Sequence, residues 1–180
     1  MDMRYVIVSI VKGEAGEFND ILRMEVYDKF KARSSKLPAH FTIKAPFEYD
    51  GDITPLENEL ESLCSKQNIK TYTMNKYDHF DDRVIYMNVN MSKEGKKFHD
   101  KIIDVLEKYP YINFNKKDGR DKIFHVTITS KKVPTIFNSV WEYVNKYPFD
   151  FKCNFDNVAI YKWNNNTWEC YREFKIGDNY

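Results

Sequence analysis

The chain has 180 residues, 42% of them hydrophobic and 16% aromatic, with a formal charge of +1. That length carries one substantial core or two small lobes that share one, and the near-neutral total argues against a protein that coats polyanions over its whole surface. Cys64, Cys153 and Cys170 are odd in number and lie far apart with no CxxC pair. They read as free thiols in a reducing compartment, and the spacing does not suit a disulfide framework or a zinc site.

A first strand is predicted from Arg4 to Val11. Lys12, Glu14 and Glu17 follow at once and no basic leader precedes it, so the segment reads as a strand and not a signal peptide. No apolar run approaches the ~20 residues that span a bilayer, and the expected location is cytoplasmic. Gly13 and Gly16 break the strand. Phe18, Ile21, Leu22, Val26 and Phe30 then recur at helical spacing. A loop, Arg33 to Pro38, leads to a strand beginning at His40. Asp50-Gly51 makes a turn, and Pro55 suits the first turn of a helix holding Leu56, Leu60 and Leu63, capped by Asp52 or Thr54. Strands follow over 69–77 and 84–91. Ser92 caps a helix with Phe98, Ile102, Val105, Leu106 and Tyr109. A second loop, 115–122, precedes a strand beginning at His125. Pro134 opens a helix with Ile136, Phe137, Val140 and Val144, and two strands over 149–161 and 167–176 close the chain around an Asn164-Asn165-Asn166 turn. The order helix, loop, strand, helix, two strands thus occurs twice, in approximate halves 1–91 and 92–180. The expected fold is α+β and bilobal: two pseudo-symmetric lobes in a single domain over 1–180, with antiparallel sheets lining a central cleft and helices outside.

The two matching strands carry the same short motif, His40-Phe41-Thr42-Ile43 and His125-Val126-Thr127-Ile128. Residues i and i+2 of a strand share a face, so His40 lies beside Thr42 and His125 beside Thr127, with the apolar partners turned to a core. Strict alternation extends the first polar stripe to Lys44 and the second to Thr129 and Lys131. Two facing stripes would supply a neutral imidazole as general base and a protonated one as general acid, both accessible near neutrality. The threonine hydroxyls would donate to the non-bridging oxygens of a phosphodiester. Positive charge concentrates around both motifs. Lys29, Lys31, Arg33, Lys36 and Lys44 stand against no acid over 29–47. Lys116, Lys117, Arg120, Lys122, Lys131 and Lys132 stand against Asp118 and Asp121 over 116–132. An anionic substrate is expected to be drawn there.

These paired motifs, their separation, the two-lobe order and the closing stretch Phe155-Asp156-Asn157-Val158-Ala159-Ile160-Tyr161 resemble the two-histidine (2H) phosphoesterase superfamily, which includes 2′-5′ RNA ligase-like proteins and RNA cyclic phosphodiesterases. The resemblance covers most of the chain. It implies a bilobal α+β fold and metal-independent, cofactor-free hydrolysis of 2′,3′-cyclic or 2′-5′-linked phosphodiesters. It carries the catalytic pairs to His40 with Thr42 and His125 with Thr127. Lys44, Thr129, Lys131 and Tyr161 are the candidates for substrate binding. Phe124 precedes the second motif where many relatives have proline. The implied partner is an RNA end or a nucleotide with a cyclic or 2′-linked phosphate, with no membrane, no metal and a monomeric chain. The competing reading is a binding protein that holds an RNA end or nucleotide in the same cleft without turnover. A structural or interaction domain with accidental motifs is a third. Of the other histidines, His79 reads as part of a solvated turn and His99 as a helix-surface residue.

Overall fold

The computed structural model describes residues 3–177. Its elements run β1 (Arg4–Ile10), α1 (Gly13–Phe30), β2 (His40–Glu48), α2 (Thr54–Ser65), β3 (Lys70–Met74), β4 (Tyr77–Phe80), β5 (Val84–Asn88), β6 (Asn90–Met91), α3 (Lys93–Leu106), β7 (His125–Thr129), α4 (Phe137–Val144), β8 (Phe151–Phe155), β9 (Asn157–Asn164) and β10 (Thr167–Lys175). The local signals act as their chemistry requires. Gly13, at φ 68°, lets the chain turn from β1 into α1. Ser92 Oγ accepts the Gly95 amide at 3.0 Å and caps α3, which buries Phe98, Ile102, Ile103 and Leu106 along one face. Asn165 and Asn166, both at positive φ, form the two-residue turn between β9 and β10. α4 begins at Phe137, after a turn at Pro134, and Ile21 of α1 stays exposed while Leu22 and Val26 are buried.

Three antiparallel sheets result, ordered β10-β9-β1-β2, β6-β3-β8 and β4-β5-β7. Each half of the sequence contributes to every one of them. The closing hairpin β9–β10 joins the sheet of β1 and β2, and β7 joins β4 and β5. The predicted strand over 149–161 divides at Asp156, because β8 and β9 belong to different sheets. The fold is α+β. The apolar faces of the three sheets share one core, in which Ile7, Phe41, Met74, Ile85, Val126 and Phe155 are all buried. Phe41 stands where the sheets converge, edge-on to Tyr72 at 5.5 Å, Phe124 at 5.7 Å and Phe155 at 5.1 Å. Burying such a ring stabilises the fold by roughly 1.5–3 kcal/mol, and this one fixes the backbone next to His40.

Candidate active site

β2 and β7 are edge strands of their sheets and lie beside each other at the seam. Phe41 and Ile43 of β2 enter the same core as Val126 and Ile128 of β7. Alternation then turns His40 with Thr42, and His125 with Thr127, away from that core on one common side. The geometry repeats in detail. His40 Nδ1 lies 2.7 Å from the Pro38 carbonyl, and His125 Nδ1 lies 2.9 Å from the Ile123 carbonyl. A carbonyl only accepts, so each Nδ1 carries a proton and each neutral ring keeps its free lone pair on Nε2.

Both imidazoles are biased toward the neutral form. His40 is 9% exposed, and burial first, then the Arg23 and His125 charges, push its pKa down to about 4. His125 is half-buried, and its pKa is lowered by burial and then by Lys122. β2 and β7 are in contact, and the two imidazoles lie close enough for their charges to interact. Phe80 and Tyr86 flank His125 at 5.0 Å each, so aromatic rings wall the second histidine.

Edge strands leave carbonyls without ladder partners, and here side chains take them. Lys122 Nζ donates to the carbonyls of Thr42 and Ile43, each at 2.8 Å. Asn19 Nδ2 donates to the Thr127 carbonyl at 3.3 Å. Asn157 does similar work at the end of β1: its amide nitrogen donates to the Ile10 carbonyl at 2.9 Å and its amide oxygen accepts the Ile10 N–H at 2.8 Å. Ile10 is the residue paired with His40.

The expected polar stripes stop at the threonines, and the cause is a matching β-bulge. Val8 pairs with Thr42 but Ile7 with Lys44; Tyr86 pairs with Thr127 but Ile85 with Thr129. Two residues on each motif strand thus face one on its neighbour, which breaks the alternation. Lys44 is carried inward. Its ammonium pairs with Asp118 at 2.9 Å, with side chains 1% and 2% exposed, and Asp118 also accepts the Ala45 amide at 3.0 Å. Thr129 is buried too and donates its hydroxyl to the Arg33 carbonyl at 2.9 Å. Neither lines the shared polar face. Lys131 is exposed and forms an isolated bridge with Arg33. Tyr161 lies on the His40 face of its sheet, in an apolar cluster with Val6, Val8, Leu37 and Ala159.

The charge census also changes. Lys44 and Lys122 hold the seam, and Arg120 is bound to Asp104 of α3 and to Glu107 just past its end. Lys36, Lys116, Lys117, Lys131 and Lys132 remain exposed. His99 is a core residue and not a surface one. It is fully buried against Phe124, with its pKa lowered to about 3 by burial. His79 is on strand β4, not in a turn, and rests on Phe137 and Trp141. Among the described residues, no group of three or more His, Cys, Asp or Glu side chains is placed to hold a metal ion, and no helix is long and apolar enough to cross a membrane.

Sequence reasoning singled out the histidines and threonines. It missed Lys122, Asn19 and Asn157, whose roles depend on which strands become sheet edges, and Phe80 and Tyr86, which reach His125 only through the β4-β5-β7 pairing.

No curated protein matches the chain in sequence. Among solved structures, TT0787 of Thermus thermophilus is similar at 12% identity and a TM-score of 0.67, covering 99% of this chain and 100% of that one. E. coli LigT complexed with 3′-AMP is similar at 13% identity and a TM-score of 0.62, covering 98% and 99%. These likenesses establish a common fold. The model of the 2′-5′ RNA ligase superfamily matches residues 14–167, and the chain belongs to that superfamily of two-histidine, phosphoesterase- and ligase-type enzymes.

Proposed function

We propose that the chain is a metal-independent phosphodiesterase acting on 2′,3′-cyclic or 2′-5′-linked phosphodiesters of RNA or nucleotides. The observation that carries this is the duplicated unit on adjoining strand edges: a histidine with Nδ1 bound to the carbonyl two residues before it, and a threonine two residues after it on the same face.

In this reading the phosphate sits between the two stripes, with Thr42 and Thr127 donating to its non-bridging oxygens. His40, the more deeply buried and held neutral, takes a proton from the attacking water at Nε2. The water oxygen bonds to phosphorus, and the bond to the departing ribose oxygen breaks. His125 supplies that oxygen's proton from its own Nε2. The bound phosphate's negative charge favours the protonated form of His125 and offsets the depressing effect of burial and Lys122. Each proton transfer accounts for about 10²–10⁴ in rate. With a terminal hydroxyl in place of water, the same groups serve ligation, so water access decides the direction.

The test is turnover of nucleoside 2′,3′-cyclic monophosphates and a 2′-5′ dinucleotide, with EDTA present, over roughly pH 3 to 9, a range that reaches below the depressed pKa of His40. The expected result is a bell-shaped profile lost in both His40→Ala and His125→Ala. Silence across the panel with retained binding would replace the enzyme by a nucleotide- or RNA-end-binding protein built on the same face.

A further inference from the structure

We propose that the protein has a second recognition site for single-stranded RNA, a basic and aromatic shelf on the β9–β10 hairpin that holds the chain several nucleotides from the scissile phosphate. It rests on the reading above only for its position beside that phosphate. The binding itself needs no turnover.

The register places the shelf. Val8 pairs with both Thr42 and Ala159, so these three share one face of the sheet. Tyr161 and Trp163 follow Ala159 at alternate positions on β9, and Trp168 of β10 pairs with Trp163. The face that offers His40 and Thr42 at one edge therefore offers two tryptophans at the other end, and Leu37 of the loop before His40 packs on the buried Val8, Ala159 and Tyr161 between them, so a bound strand passes over that loop. The opposite face is covered by α2, which packs on β9 and β10. Both indoles are only half-buried and meet edge to face at 5.2 Å. A sheet that needed only stability would cover or replace such rings.

Cations accompany them. Arg4 lies over Trp168 at 5.6 Å and Lys36 over Trp163 at 5.7 Å. Lys36 also belongs to the loop that delivers His40. That loop is fixed by Arg23, whose guanidinium donates to Ser34 Oγ at 3.1 Å and to the Leu37 carbonyl at 3.0 Å. An open cavity of about 420 Å³ lies beside it, lined by Arg33, Ser34, Ser35 and Lys36, by apolar side chains of α1, and by Asp20, whose carboxylate is paired with Arg23 at 2.7 Å. Hydroxyls and cations there suit phosphate oxygens, and the indoles suit bases. Alternation of the two is how single strands are bound without reading sequence.

The spacing selects a chain over a mononucleotide. From Thr42 to Trp163 is two strands across and four residues along, about 16 Å at ordinary strand spacing and rise. One nucleoside with its phosphate at Thr42 does not reach that far. An oligonucleotide does.

The experiment compares affinity for a labelled single-stranded oligoribonucleotide of about eight residues, a length within the site sizes of such grooves, with affinity for a nucleoside 2′,3′-cyclic monophosphate. The proteins are wild type, Trp163→Leu, Trp168→Leu and Lys36→Gln. The expected result is quenching of tryptophan fluorescence by the oligonucleotide in wild type, and a ratio of oligonucleotide to mononucleotide affinity that drops about tenfold in a Trp variant. Lys36→Gln, a surface change that keeps the fold even where an indole variant does not, should reduce the salt slope of oligonucleotide binding by about one. An unchanged ratio together with an unchanged salt slope overturns the site. Oligonucleotide binding that depends on Trp163, in a protein that hydrolyses nothing, supports the shelf and removes the phosphodiesterase. Mononucleotide hydrolysis with no oligonucleotide binding removes the shelf alone.

Discussion

On β2 the carbonyl of Thr42 is held by the Lys122 ammonium; on β7 the carbonyl of Thr127 is held by the Asn19 amide. The two strands share a motif, a bulge and a histidine–carbonyl bond, yet each edge is closed by a different chemistry. His40 is buried beside Arg23, whereas His125 is half-buried between Phe80 and Tyr86 with Lys122 nearby. Backbone geometry is what the two motif strands repeat, and surroundings are what they do not. In the proposed reaction that inequality suits an acid–base pair, because unlike surroundings let one imidazole stay neutral while the other is protonated.

The sharpest break in the comparison is chemical. His40→Ala and His125→Ala should each lower kcat/KM for a cyclic nucleotide by about 10²–10⁴. Their residual profiles should differ: His40→Ala should lose the acidic limb and His125→Ala the alkaline one. Identical residual profiles would mean that the two surroundings do not assign the roles.

Next in size is the bulge of β2. Lys44→Met leaves Asp118 buried without its cation, and breaking one partner of such a pair costs about 3–5 kcal/mol. Restoring neutrality with Asp118→Asn in the same chain should recover part of that stability in a denaturant melt. No recovery would mean that Lys44 acts through something other than its charge.

The histidine environments also predict an acid-side loss of stability. Between about pH 6.5 and pH 4 the unfolded chain binds a proton at His40 that the folded chain refuses. Stability due to this depressed pKa is therefore complete above 6.5 and is lost as pH falls toward 4. Each pH unit of displacement corresponds to about 1.4 kcal/mol, which makes the share of His40 about 3 kcal/mol. His99, lowered to about 3, adds in the same direction. His40→Gln should flatten the dependence of urea midpoint on pH across this window, and an unchanged slope would place the titration elsewhere.

Much of this was legible in the sequence, and the parts that were not have a common cause. Ser92, the Asn165-Asn166 turn and the duplicated motif act locally, so their chemistry is visible in a few residues. Which sheet β7, β9 and β10 would join was not legible, because that choice depends on long-range pairing that no local pattern encodes. Lys44 and Thr129 were drawn into the polar stripe by strict alternation, and a single bulged residue in each strand moved them inside. The count of basic residues overstated the free charge for a related reason. Lys44, Lys122 and Arg120 are committed to partners that only the folded chain brings near.

Thr129 gives the smallest and most discriminating contrast, since it occupies on β7 the place that Lys44 holds on β2. Its hydroxyl donates to the Arg33 carbonyl at 2.9 Å, and the same carbonyl also accepts the amides of Ser130 at 2.9 Å and Lys131 at 3.0 Å. Thr129→Val keeps the side chain's shape and its place in the core, and the carbonyl keeps two donors. The cost is therefore that of one hydrogen bond, about 1 kcal/mol, or a fall in Tm of roughly 2–4 °C for a chain of this size. Turnover should not change, because the bulge has turned the hydroxyl away from the face shared by Thr127 and His125. A tenfold fall in kcat/KM with that small change in Tm would return Thr129 to the substrate and show that the bulge opens when ligand binds.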